Sequence, residues 1–97
     1  MTPLGFKRSL SKSQPPAGLS PALAALWWAA KDKWDNAHKI VMDEESAEGA
    51  WVHAYLHRVE GDLDNARYWY RRAHRPPATG DFPDEWDAIA AALLQSR

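Results

Sequence analysis

His53 and His57 stand one helical turn apart, and Glu60 follows three residues later. At about 100° per residue these three fall on one arc of a helix, where imidazoles and a carboxylate can share a metal ion. Asp62 or Asp64 would add a further oxygen. The stretch His-Ala-Tyr-Leu-His lacks the glutamate of a zinc-protease helix, so the set offers ligands without an attached hydrolytic base. Two plainer states stand beside ligation. On a helical wheel the histidines lie beside Gly49 on the polar arc and are merely solvated. Turned inward instead, they pack and hydrogen-bond against a neighbouring helix. Buried imidazoles resist protonation, so in that state acid below pH about 6 destabilises the fold.

A second set lies on the next helix. Arg67, Arg71 and His74 share one arc, with Arg72, Arg75 and Tyr68 nearby. Such a group takes a phosphate or an acidic peptide. Arginines at a helix end also satisfy its last carbonyls and pair with neighbouring acids. Beyond these two sets the chain offers little chemistry. It has no cysteine. Ser20 and Ser46 serve as helix caps, Ser96 is last but one, and no serine sits in a nucleophile elbow. The glycines are isolated, so no phosphate-cradling loop or dinucleotide fingerprint exists. The reading is a non-catalytic protein with no cofactor.

The elements that must position these residues are helices. Ser20-Pro21 is a start signal, a serine cap followed by proline in the first helical position. Leu23, Leu26, Trp27 and Ala30 form the stripe of a first helix ending near Lys31. A second runs from Trp34 to about Glu44 on Trp34, Ala37, Ile40 and Val41. Ser46 caps a third, which Gly61 ends in the left-handed conformation. Asp62 caps a fourth, ending near His74. After Pro76-Pro77-Ala78-Thr79-Gly80, Phe82-Pro83-Asp84-Glu85 opens a fifth with acids in its first turn, favourable to the helix dipole. Trp86, Ile89, Ala90, Leu93 and Leu94 are its apolar stripe. No segment alternates like a strand. The expected fold class is all-α.

Ninety-seven residues make one small domain, and six tryptophans can supply much of its core. Residues 1–19 carry Lys7, Arg8 and Lys12 and no acid, a charge of +3. Their Ser, Pro and Gly content reads as a disordered basic arm ahead of a helical domain at 20–97. The remainder sets nine Lys/Arg against thirteen Asp/Glu, an acidic balance that speaks against a nucleic-acid partner. The longest apolar stretch, 22–30, is far below the roughly 20 residues of a membrane span. With no export signal and no cysteine, a cytoplasmic location is expected.

The chain also echoes itself at a period of 29: Trp34-Asp35-Asn36-Ala37-His38 is answered by Leu63-Asp64-Asn65-Ala66-Arg67. Such an echo is what helical hairpins stacked in series leave in a sequence. Residues 46–77 resemble a tetratricopeptide repeat: Ala54, Gly61, Ala66, Tyr70 and Ala73 fall at its small and aromatic positions, and Pro76-Pro77 follow. Residues 20–45 resemble it less, with Ala25, Ala37 and Val41 matching but Asp32 standing where the motif has glycine. His53 and His57 occupy its inward-facing apolar and aromatic positions. The resemblance implies a five-helix bundle of two antiparallel hairpins with the fifth helix as cap. It also implies an inner face carrying Glu48, Trp51, Tyr55 and Arg58 beside Leu26 and Ala29. An aromatic face flanked by charges docks a peptide or partner protein. The same rings can instead pack as core, and an exposed Trp-rich face can close on a second copy as a homodimer.

Overall fold

In a computed structural model, which describes residues 1–95, the chain is all-helical. The elements are α1 (Pro3–Arg8), a 3-10 turn (Ser9–Ser11), α2 (Pro21–Ala30), α3 (Trp34–Val41), α4 (Ala47–Glu60), α5 (Leu63–Ala73) and α6 (Phe82–Gln95). Among the described residues there is no strand and no helix long and apolar enough to cross a membrane. The caps form where local chemistry puts them. The side chains of Ser20, Ser46 and Asp62 accept from the backbone N–H of Leu23, Gly49 and Asn65, each meeting a donor the helix itself leaves idle. Gly61 ends α4 at φ 91°. The corresponding residue after α2 is Asp32, and it adopts φ 59° despite its side chain.

α2 packs chiefly on α3, and α4 on α5, giving two consecutive helical hairpins. The echoed alanines are why each pair can close. Ala37 is 0% exposed and Ala66 2%, and neither holds its neighbour away. α3 is shorter than expected, ending at Val41 rather than near Glu44. α6 then lies against both α4 and α2. Trp86 donates its indole N–H to Leu26 O at 2.8 Å, while Ile89 and Leu93 join Leu23, Leu26, Val52 and Leu56 in the main core.

The N-terminal segment departs from expectation. Residues 1–19 are not a free arm: Phe6 is 0% exposed and its ring stacks on Trp86 at 5.5 Å. Ser9 Oγ accepts from the Trp27 indole at 3.0 Å, and Lys31 Nζ donates to Leu10 O (2.6 Å) and Lys12 O (3.0 Å). One buried aromatic and a lysine spent on backbone carbonyls hold a segment whose composition reads as solvent-exposed. Among the described residues the bundle therefore has six α-helices rather than five, and residues 1–19 pack as part of it.

Candidate functional site

His38 from α3 meets His53 and His57 from α4. One ligand atom from each of the three lies within 4.8 Å of the others. Nε2 of His53 and Nε2 of His38 are 3.1 Å apart; in a neutral pair one donates and the other accepts. His57 donates Nδ1–H to Glu60 Oε1 at 2.5 Å, which leaves its Nε2 as the nitrogen with the free lone pair. Two indoles flank the group. Trp69 stacks on His53 at 3.9 Å between ring centres, and Trp34 stacks on His38 at 4.7 Å. Trp34 is itself pinned by its indole N–H, which donates to Leu56 O at 2.7 Å.

His53 and His57 are buried, at 4% and 5% exposure, so the inward state holds and the solvated one does not. Burial pushes the His53 imidazole down to about 4, helped by the neighbouring His57 and His38. His38 is lowered too, by burial first and His57 second, against the opposite pull of Glu60 and Asp35. Both rings therefore stay neutral at pH 7. His53 Nδ1 is a buried side-chain nitrogen with no hydrogen-bond partner among the described residues.

Glu60 closes on His57, and Asp62 falls in the same group. Asp64 instead pairs with Arg67. His38 carried no weight in the sequence reading beyond its place in the echo. It stands opposite Arg67 there, and the shortness of α3 together with the tight α3–α4 return brings it over α4.

The α4 surface that carries Glu48, Trp51, Tyr55 and Arg58 is crossed by another helix. α6 runs over the α4 surface, and Glu85 accepts from Arg58 Nη1 at 2.8 Å and from the Tyr70 hydroxyl. Arg58 also donates to Gly80 O and lies over the Phe82 ring. Glu85 reads in sequence as a dipole-stabilising acid, and nothing local marks it as buried. Burial and the Glu85 hydrogen bond hold the Tyr70 phenol well above its usual range. Tyr55 is 7% exposed, and its phenol is pushed up to about 12 by burial first, then by Glu85. Leu26 is core, and Glu48 is half-buried near Trp51.

α6 leaves a cleft on each side. One, of about 320 Å³, is lined by Trp51, Arg75, Ala78, Asp81, Glu85 and Ala88, with the Arg75 guanidinium 3.9 Å from the Trp51 ring centre. The other, of about 280 Å³, is lined by Tyr55, Ala29, Ala30, Asp32, Phe82 and Trp86. A Lys7–Asp87 ion pair of 3.2 Å lies at its edge. Beside the first cleft, the Asp84 carboxyl is held above the usual range by its hydrogen bond to Asp81 and by that residue's charge.

The arginine group on α5 is less assembled. Arg67, Arg71 and His74 are all exposed, but Arg67 is paired with Asp64. Arg72 lies over Tyr68 and Trp69 instead of joining them, and His74 ends the helix at φ 60°. Of the plainer uses, the pairing of Arg67 with a neighbouring acid is formed, while Arg75 lies over the Trp51 ring. Compared with protein families, curated proteins and solved structures, the chain matches none.

Proposed function

We propose that this chain is a small non-catalytic interaction module, two tetratricopeptide-like hairpins and a capping helix, that docks a peptide or partner protein along α6. One observation carries the reading: α6 crosses the α4 face and leaves a side-chain-sized cleft on either flank, walled by Trp51 on one and Tyr55 on the other. Rigid aromatic walls with a polar rim are what anchor residues of a partner use. Asp81 and Asp84 border the first cleft, and Asp32 and Asp87 the second. The occupant is therefore an apolar-anchored segment bearing Lys or Arg, whose charge relieves the crowded Asp81–Asp84 pair.

Ala88 and Ala30 line the two clefts and are exposed, so each accepts a larger side chain without disturbing the core. The test is a displayed-peptide selection on the purified chain. Enriched peptides should carry aromatic or aliphatic anchors beside basic residues. They should lose binding to the Ala88→Trp/Ala30→Trp double variant while its urea midpoint stays put. Peptides that bind the double variant as tightly as the parent would remove the proposal.

A further inference from the structure

We propose that His38, His53 and His57 hold one divalent transition-metal ion of the zinc class, with Glu60 as the carboxylate that orients His57 and not as a ligand. The site is separate from the clefts beside α6, and neither proposal depends on the other.

The spacing supports the ligand set. Metal–nitrogen bonds of about 2.0–2.1 Å at a tetrahedral angle place two ligand nitrogens roughly 3.3–3.4 Å apart. His38 and His53 already stand at 3.1 Å, and the third imidazole lies within 4.8 Å of both. The same measure excludes Glu60 from the inner set. At 2.5 Å from His57 Nδ1, Glu60 Oε1 is too close to be a co-ligand and is at hydrogen-bond distance. A carboxylate on the far nitrogen of a ligating histidine fixes the tautomer and raises ligand basicity. His57 therefore presents Nε2 to the ion.

The surroundings suit an ion. His53 is 4% exposed and its Nε2 faces the Nε2 of His38, where an ion can take the place of the proton the two nitrogens share. Trp34 and Trp69 cover the outer faces of the cluster, giving the apolar shell that limits solvent access around a bound metal. Three neutral imidazoles select a borderline ion such as Zn²⁺, Co²⁺, Ni²⁺ or Cu²⁺ over Mg²⁺ and Ca²⁺, which take oxygen ligands. Three protein ligands leave one position for water.

The test titrates Zn²⁺ and Co²⁺ into full-length protein previously stripped with a chelator. Expected are one ion per chain and the intense visible bands of tetrahedral Co²⁺. Co²⁺ should also quench tryptophan fluorescence through the adjacent indoles. Mg²⁺ at millimolar concentration should not compete. His38 is half-buried, so His38→Gln should keep the helical circular dichroism and weaken Zn²⁺ binding at least 100-fold. Glu60→Gln should weaken it 10- to 100-fold with the Co²⁺ bands preserved, and His74→Gln should leave it unchanged. Absence of uptake overturns the proposal. So does His38→Gln binding like the parent, or Glu60→Gln changing the Co²⁺ spectrum, which would make Glu60 a ligand.

Discussion

Acid should weaken the metal-free protein through His53, and the size of the effect follows from its surroundings. An unfolded histidine titrates near 6.5, whereas the folded ring is pushed down to about 4 by burial and by the charges of His57 and His38. The groups facing it are His38 with Asp35 behind it on α3, His57 and Glu60 on α4, and the neutral Trp69 on α5. A folded-state value below the unfolded one means the unfolded chain takes the proton first. The contribution is fully present above pH 6.5 and is lost as pH falls toward 4. Linkage then removes about 2 kcal/mol by pH 5 and about 3 kcal/mol by pH 4. His38 adds in the same direction. Urea titrations followed by tryptophan fluorescence at pH 8, 7, 6 and 5, at fixed ionic strength with chelator present, read the effect directly. Most carboxylates stay ionised in that window, so a fall between pH 7 and 5 belongs to imidazoles. A midpoint flat from pH 8 to 5 refutes the burial assigned to His53.

Phe6→Ala should lower stability by about 3–5 kcal/mol, as for a ring removed from a packed core, because Phe6 is wholly enclosed against Trp86. A change within about 0.5 kcal/mol, the scale of an ordinary surface substitution, would return residues 1–19 to a free arm. Arg58→Met leaves the buried Glu85 carboxylate with only Tyr70 and should cost about 3–5 kcal/mol in chemical denaturation. Adding Glu85→Leu should recover much of that loss, since a buried ion pair replaced as a unit is near neutral; a double variant as weak as the single contradicts the assignment.

What could be read from the chain beforehand was whatever is settled within a turn or two of helix. Ser20, Ser46, Gly61 and Asp62 mark ends because their partners lie three residues away. Ala37 and Ala66 mark close approach because the echo repeats them. His38 is harder, since its neighbour His53 is 15 residues and a whole helix start away, and only the packing angle of α3 on α4 brings them together. Phe6 and Glu85 are harder still. Both look like surface residues by their neighbours in sequence; Phe6 is buried against α6 and Glu85, on α6 itself, is buried where that helix meets Arg58 and Tyr70, a placement no local pattern announces. Tyr55 and Arg58 follow the same logic: their face was visible, but not that α6 would cross it.

Phe6 and Trp86, 80 residues apart, complete one another's enclosure. During synthesis α1 emerges long before α6, so Phe6 lacks its Trp86 partner until α6 has left the ribosome, although Ser9, Leu10 and Lys12 can already meet Trp27 and Lys31 of the first hairpin. The hairpins between can pair as they appear, yet closure of the main core waits for that late event. A nascent chain stalled before Phe82 should thus leave the Phe6 ring without its Trp86 cover.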